Sequence, residues 1–317
     1  MNDTDLIHID DRWIKSLRGG KNRLDPKRPY AYSLEKERTR RGSVEDIATV
    51  FLTNRECPFT CLMCDLWKNT TDHSVSPENI IEQIDWVLPH IISASHVKIY
   101  NSGNFFDQKA IPSEVYPILS EKLNSFKTLI VESHPSLIDN RCLNFRNMIN
   151  PELQVALGLE TSNPGVLSRL NKNMTLDDFA KKVKFLTTNN IQVRAFILLK
   201  PPFQDESDGV KWAKRSIDFA FQCGVECCVI IPTRAGNGAL DFLRNKGYFN
   251  IPLIESLEEV LDYGVNLKGG RVFADLWDLE KFSNCEQCFE ERKSRLSVTN
   301  LNQVILEPIH CKCHVIK

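Results

Sequence analysis

Three cysteines fall within eight positions of the sequence. Cys57, Cys61 and Cys64 lie in the stretch NRECPFTCLMCDLW (54–67), directly after an apolar run. The spacing C-x3-C-x2-C allows one short loop to supply three thiolates to an iron–sulfur cube. Clusters that only carry electrons take four cysteines, so three would leave one iron open to chelate the amine and carboxylate of a small molecule. The alternatives for these thiols are a zinc site and packing in the core.

Cysteine usage in the whole chain favours metal binding over disulfides. The sequence has eleven cysteines, and an odd number cannot all pair within one chain. The polar start MNDTDLIHIDDR lacks the apolar core of a secretory signal, and no run approaches the roughly 20 apolar residues that a membrane helix needs. We therefore expect a cytoplasmic protein with no membrane partner, whose clustered cysteines bind metal.

Six short β-branched runs, separated by amphipathic helical stretches, begin at residue 47. The runs are 47–53, 96–101, 128–133, 154–160, 192–199 and 226–232. Near-continuous apolar strands that alternate with helices predict a parallel sheet buried on both faces, and six units suit a curved, partly closed barrel. The predicted fold is α/β, a partial (β/α)6 barrel. The three-cysteine loop would then leave the first strand at the carboxyl-terminal mouth, where catalytic groups lie.

The sequence divides into three parts. We expect a basic amino-terminal arm over 1–46, the barrel core over 47–270, and a small cysteine-rich extension over 271–317 that departs from the βα rhythm. The arm carries eleven basic and three acidic residues between positions 12 and 41, which predicts a solvated segment or, as the alternative, contact with phosphates. The net charge of −1 and the pI near 6.7 provide no global signature of nucleic-acid binding.

The cysteine loop and the motifs at later strand ends resemble the radical S-adenosylmethionine (SAM) superfamily. NSGNFFD (101–107) follows the second strand, VESHP (131–135) the third, and GLETSNPGVLSRLNKNMT (158–175) the fourth. The last two are similar to the branch that contains oxygen-independent coproporphyrinogen oxidase and the elongator catalytic subunit. The resemblance implies a [4Fe–4S] cluster on the three cysteines, SAM as cosubstrate and an external electron donor.

The same resemblance implies a set of residues that bind SAM. Ser102, Gly103 and Asn104 stand where the superfamily receives the methionine amino group, although the usual acidic residue is missing there. Glu132 matches the carboxylate that binds the ribose. The remaining two positions belong to the fourth strand and the loop after it, with Glu160 at a Gln/Glu position and Lys172 where a basic residue meets the methionine carboxylate.

A second cysteine cluster lies in the extension. NCEQC contains Cys285 and Cys288, and HCKCH contains Cys311 and Cys313. Two chelating pairs at this separation can place four sulfurs around a structural zinc. Because the second pair is C-x-C, His310 or His314 could replace one thiol. A second iron–sulfur cluster and unligated thiols are the alternatives.

Taken with the carboxyl-terminal cysteines, the motifs look most like the radical SAM subunit family of archaeosine synthase. That resemblance implies action on tRNA, by cleavage of a C–N bond in a lysine adduct of a deazaguanine base to leave an amidine. It also allows a partner subunit or enzyme that supplies the substrate. Two other functions compete. One is a radical SAM maturase of a peptide or small molecule that uses a second cluster, and the other is a zinc-ribbon protein that binds nucleic acid.

Overall fold

The computed structural model describes residues 7–311 and places eight strands in one sheet. The strands are β1 (Ala31–Arg38), β2 (Val44–Phe51), β3 (His96–Tyr100), β4 (Thr128–Ser133), β5 (Glu152–Glu160), β6 (Gln192–Leu199), β7 (Cys227–Pro232) and β8 (Arg271–Ala274). Their order in the sheet is their order in the chain. β1 is antiparallel to β2, and each later pair is parallel.

Helices precede the first strand, connect the parallel strands and follow the last strand. They are α1 (Asp11–Ser16), α2 (Pro77–Ile91), α3 (Tyr116–Leu123), α4 (Asn140–Met148), α5 (Pro164–Arg169), α6 (Leu176–Thr188), α7 (Glu206–Cys223), α8 (Ala239–Asn245), α9 (Ile254–Leu267) and α10 (Glu286–Asn302). Within residues 7–311, no helix combines the length and the apolar character needed to cross a membrane.

Local sequence explains where the helices begin and which face they bury. In α2, the Ser76 side chain accepts the N–H of Asn79, and Pro77 occupies the first turn, where its missing N–H is not needed. The apolar residues that follow at three- and four-residue spacing are buried, namely Ile80, Ile84, Val87 and Ile91. They join the large apolar core between the sheet and its helices.

The predicted fold class is confirmed. The six predicted strands correspond to β2–β7, and their parallel order places all their carboxyl ends at one edge. The sheet curls into a partial barrel. This is seen in the distance between its first and last strands, since Glu37 of β1 lies 3.4 Å from Arg271 of β8. Loops after β2, β3, β4 and β5 therefore meet at a common mouth.

Two strands lie outside the predicted core. Residues 31–38, assigned to the basic arm, form β1, and residues 271–274, assigned to the extension, continue the parallel sheet as β8. Neither shows a continuous apolar pattern, since β1 reads AYSLEKER and β8 has only four residues. The charged side chains of β1 find partners inside the barrel, which a hydrophobic pattern cannot reveal. A division at residues 46 and 270 would therefore cut through the sheet.

A charged network fills the barrel interior near the amino ends of the strands. Glu37 accepts hydrogen bonds from Arg194 of β6, at 3.1 Å from Nη1 to Oε2 and at 2.5 Å from Nη2 to Oε1, and pairs with Lys98 of β3 at 2.8 Å. Burial alone would raise the pKa of Glu37, but the Arg194 and Lys98 cations lower it far below its usual range. Removing one buried ion leaves another uncompensated, which costs more than the intact pair contributes.

Helix α10 covers the free edge of β8. The side-chain amide of Gln303 bonds both main-chain groups of Val272, at 2.8 Å from the N–H and 2.7 Å from the carbonyl. Asn300 does the same for Ala274, at 2.9 Å and 2.8 Å. These two side chains satisfy the groups that a further strand would pair with. Because α10 also contacts β1, it bridges the two edges of the curled sheet.

We expect Arg194→Met to lower the free energy of unfolding by about 3–5 kcal/mol, because Glu37 would stay buried without its main cation. Chemical denaturation measures the change. Arg41→Met is the matched control, since Arg41 pairs with Glu152 at the surface, with side chains 84% and 50% exposed, and its loss should cost less than about 1 kcal/mol. Equal losses in the two variants would contradict the structural role of the network.

Candidate functional site

The loop after β2 carries the three cysteines at the mouth of the barrel. Residues 54–65 contain no helix and no extended strand. Cys57, Cys61 and Cys64 are half-buried as residues, and burial of the sulfurs raises the pKa of each thiol to about 12. Without a metal these thiols stay protonated at neutral pH. A bound metal is the usual means of holding such thiols as thiolates.

Neighbouring loops hold the cysteine loop through its main chain. Asn237, in the loop after β7, donates from Nδ2 to the carbonyl of Leu62 at 2.7 Å and to that of Cys64 at 3.2 Å. The N–H of Leu62 donates to the carbonyl of Leu170 at 2.9 Å. The position of the thiols therefore depends on residues more than a hundred positions away in the chain.

The segment before β1 also binds the cysteine loop. Glu56, next to Cys57, accepts from Arg18 at 2.7 Å and pairs with Lys21 at 2.7 Å. Lys21 also reaches Asp72 at 2.8 Å, and the Arg18 side chain is only 9% exposed. The prediction of a solvated arm is wrong at these two positions, because acidic residues distant in sequence supply their partners.

The turn after β3 lies directly against Cys57. A Cβ atom at Gly103 would approach the Cys57 Cβ at 3.3 Å, so the glycine permits the close contact. Glu132 shapes the turn, since its Oε1 accepts the N–H groups of Asn101 at 2.7 Å and of Gly103 at 3.2 Å. These hydrogen bonds lower the pKa of Glu132, but burial has the larger effect and raises the pKa to about 7. Ser102 adopts a positive φ of 53°.

Asn104 and His134 link this turn to the next strand end. Asn104 donates from Nδ2 to the Cys57 sulfur at 3.0 Å, and its Oδ1 accepts the N–H of His134. The His134 ring stacks on Phe59 of the cysteine loop, with centroids 3.8 Å apart, and its Nε2 lies 2.8 Å from the carbonyl oxygen of Lys172. Loops after β2, β3, β4 and β5 are thus joined around Cys57.

Glu160 and Lys172 form a buried ion pair at the end of β5. Lys172 Nζ lies 2.6 Å from Glu160 Oε1, and both side chains are less than 10% exposed. Glu160 has a positive φ of 65°, and a Cβ at Gly158 would meet the Glu160 carboxylate at 2.2 Å and the Lys172 amine at 2.5 Å. Burial would lower the pKa of Lys172, but Glu160 and the nearby Cys61 raise it. A cation therefore persists beside the cysteine loop.

Several of the residues that lie at the mouth were not predicted from the sequence. Tyr30 reaches the site from the segment before β1, with its hydroxyl 2.8 Å from Ser102 Oγ. His134 stands inside the VESHP motif and Glu56 inside the cysteine loop, but neither had an assigned role, and Asn237 lies in a stretch without a motif. For His134, the available signal was its position two residues after the carboxylate Glu132, at the end of β4. The other three contacts appear only once distant loops are placed side by side.

The carboxyl-terminal cysteines converge at the start of α10. The sulfurs of Cys285, Cys288 and Cys311 all lie within 4.8 Å of one another, and Cys285 Sγ is 3.8 Å from Cys311 Sγ. Arg292 donates from Nε to the Cys288 sulfur at 3.3 Å. The fourth predicted ligand, Cys313, and the alternative His314 lie outside the described residues. Three of the four predicted ligands therefore meet at one point.

The mouth fits the cluster and SAM that the motifs predict. Three thiols are grouped on one loop, an amide N–H is directed at one sulfur, and the Glu160–Lys172 pair adds fixed charges of both signs nearby. Carboxylate and ammonium groups can complement the amine and carboxylate of an amino acid. The geometry assembles Gly103, Asn104, Glu132, Glu160 and Lys172 around the loop, as their strand-end positions predict.

Comparison with known proteins agrees with this geometry. The family model described as the radical SAM superfamily matches residues 51–232. An uncharacterized protein of Methanocaldococcus jannaschii is 25% identical over 253 residues, covering 75% of this chain and 69% of that protein. Archaeosine synthase subunit beta of Thermococcus kodakarensis is 29% identical over 167 residues, and that of Methanosarcina acetivorans 24% over 211. These matches cover 50% and 63% of this chain, and 51% and 60% of those subunits.

Solved structures share the fold at low sequence identity. The archaeal Elp3 of Methanocaldococcus infernus superposes with a TM-score of 0.53 at 13% identity, covering 80% of this chain and 63% of that one. Methylornithine synthase gives 0.53 at 16% identity, with 72% and 66% covered. The family match spans more than half of the chain and includes the three-cysteine loop. The chain therefore belongs to the radical SAM superfamily of enzymes.

Proposed function

We propose that this enzyme modifies a base of tRNA by radical cleavage of a C–N bond, as the resemblance to archaeosine synthase implies. The observation that carries the proposal is the sequence match to the beta subunits of archaeosine synthase from two archaea, at 29% and 24% identity. The chain spans only 51% and 60% of those subunits. We therefore include a partner subunit or enzyme that supplies the substrate as part of the proposal.

In this proposal Cys57, Cys61 and Cys64 hold a [4Fe–4S] cluster. A cluster held by these thiolates and reduced by an external electron donor would supply the electron for cleavage of SAM into methionine and a 5′-deoxyadenosyl radical. The protein contributes position, shielding and electrostatics. The loop contacts of Glu56 and Asn237 keep the thiolates in place at the mouth.

The residues that bind SAM follow from the same geometry. Lys172 would meet the methionine carboxylate and Glu160 would keep that cation oriented. Ser102 and Gly103 remain the candidates for the amino group, whereas both ends of the Asn104 amide are already bonded within the protein. Glu132 uses Oε1 for the turn, so Oε2 is the oxygen proposed for the ribose. SAM affinity of a Glu132→Ala variant tests this contact.

An exposed aromatic ring at the mouth supports a nucleobase substrate. Trp277, three residues past the end of β8, is 63% exposed. Its ring centroid lies 6.5 Å from that of Phe51, at the end of β2. Arg234 holds the loop after β8 in place, since its Nη2 donates to the Trp277 carbonyl at 2.5 Å and to Asp275 at 2.7 Å. Aromatic side chains of this kind stack on unpaired RNA bases.

Mass spectrometry of tRNA nucleosides tests the proposal. The reconstituted, reduced protein is incubated with SAM and tRNA from cells that lack the gene. We expect 5′-deoxyadenosine together with conversion of a deazaguanine adduct. Cys61→Ala should abolish both products because it removes a cluster ligand.

Trp277→Ala should weaken tRNA use by about 5- to 150-fold, the equivalent of one lost base stack, while SAM cleavage without tRNA continues.

Leu267→Ala is the matched control for Trp277, because Leu267 is also an exposed apolar side chain, at 40%, but lies at the end of α9. Cleavage of SAM with no change in any tRNA nucleoside would reject the tRNA substrate and retain the radical SAM chemistry. Absence of an iron chromophore after anaerobic reconstitution would instead favour the zinc-ribbon alternative.

We also propose that Cys285, Cys288, Cys311 and Cys313 bind one structural zinc. A zinc–sulfur distance of about 2.3 Å in a tetrahedron places ligand sulfurs about 3.8 Å apart, and the Cys285–Cys311 separation is 3.8 Å. In a second [4Fe–4S] cluster each thiolate would bind a different iron, and the ligand sulfurs would lie farther apart. The zinc would tie residue 311 to the start of α10, which itself covers β8.

Replacing Cys285 and Cys311 together with serine should release about one zinc per chain and lower the thermal midpoint, since binding energy at such sites contributes to folding. Metal analysis and thermal unfolding measure both effects. Cys223→Ser is the matched control, because Cys223 is a half-buried cysteine outside both clusters. In the variant that lacks Cys285 and Cys311, the iron content should stay at about four per chain. A fall from about eight to about four would place a second cluster in the extension and favour the maturase alternative.

A further inference from the structure

We propose that Asn104 raises the reduction potential of the cluster through a hydrogen bond to the Cys57 thiolate. The inference rests on the cluster of the proposed function but not on the substrate. It assigns Asn104 a role different from binding the methionine amino group, and it concerns how easily the enzyme accepts its electron.

The contact is short and enclosed. Asn104 Nδ2 lies 3.0 Å from Cys57 Sγ, and Asn104 is only 2% exposed. Gly103 allows the turn to come close enough for this contact. A larger residue there would place its Cβ only 3.3 Å from the Cys57 Cβ. Little water can compete for the sulfur on this side, so the full dipole of the amide acts on it.

The orientation of the Asn104 amide is set by its other end. Oδ1 accepts the main-chain N–H of His134, which can only donate. A rotated amide would place two N–H groups together and direct a carbonyl oxygen at the thiolate. The structure therefore leaves one arrangement, in which Asn104 donates to sulfur.

His134 is itself held in place, so the amide cannot easily turn away. Its Nδ1 accepts the N–H of Ser136 at 3.1 Å, which requires the proton on Nε2. Nε2 then donates to the carbonyl of Lys172 at 2.8 Å, and the ring stacks on Phe59. Burial and the nearby Lys172 cation lower the pKa of His134 to about 3, so the ring stays neutral and the arrangement does not change near neutral pH.

A hydrogen bond to a cluster sulfur favours the reduced state. Reduction adds one electron and increases the negative charge on the sulfurs, which the positive end of an N–H dipole stabilises. Hydrogen bonds to sulfur are among the established determinants of iron–sulfur potentials. A neutral donor at this position achieves this without placing a second cation beside Lys172.

Redox titration of the reconstituted protein without tRNA, followed by EPR of the reduced cluster, tests the inference. Asn104→Leu removes the donor at similar volume and should lower the midpoint potential. Asn104→Asp places an acceptor beside the sulfur and should lower it further. Asn237→Leu is the matched control, because Asn237 is also a buried asparagine, 3% exposed, that holds the cysteine loop, but it bonds carbonyl oxygens.

Unchanged potentials in the Asn104 variants, or an equal shift in Asn237→Leu, would overturn the proposal. A second measurement uses the wild-type protein, so it tests the proposal even if the Asn104 variants fail to bind iron. Pulsed EPR of the reduced wild-type cluster, with asparagine side chains labelled with ¹⁵N, should show a ¹⁵N coupling from the bonded amide. Absence of that coupling also overturns the proposal. Because tRNA takes no part, failure here is distinct from failure to modify tRNA.

Discussion

The structure depends on holding an irregular loop with three thiols in a fixed place. Residues 54–65 have no helix or extended strand of their own, so their geometry comes from other segments. Asn237, from the loop after β7, donates to the main chain of the cysteine loop, Arg18 and Lys21 bind Glu56, and Asn104 bonds Cys57. The barrel brings these donors to one edge. A change that tilts the sheet would therefore displace several contacts at once.

The two ends of the barrel use charge in different ways. Near the amino ends of the strands, Glu37 is surrounded by Arg194, Lys98 and Arg271, and this network joins strands that are not neighbours. At the mouth, the Glu160–Lys172 pair lies beside the cysteines. Positive φ angles gather there as well, at Ser102, Glu160, Lys200 and Phe203. Strained backbone at the carboxyl ends of strands is typical of functional sites.

Sequence predicted the parts of the fold that follow a repeating physical pattern. Buried parallel strands need continuous apolar runs, so β2 to β7 could be found, and the parallel order then placed the cysteine loop at the mouth. β1 could not be found this way, because its charged residues are satisfied by Arg194 and Arg271 across the barrel. The role of Glu56 was hidden for the same reason, since its partners Arg18 and Lys21 lie more than thirty residues away. Short-range motifs located Glu132, Glu160 and Lys172, but not the contacts that position them.

We infer that Cys57, Cys61 and Cys64 hold a cluster with one iron open to SAM. Mössbauer spectroscopy of protein reconstituted with ⁵⁷Fe, recorded with and without SAM, tests it most directly. We expect one iron of the cluster to change its isomer shift when SAM is added, while the three bound to cysteine do not. A spectrum in which SAM alters none of the irons would contradict it.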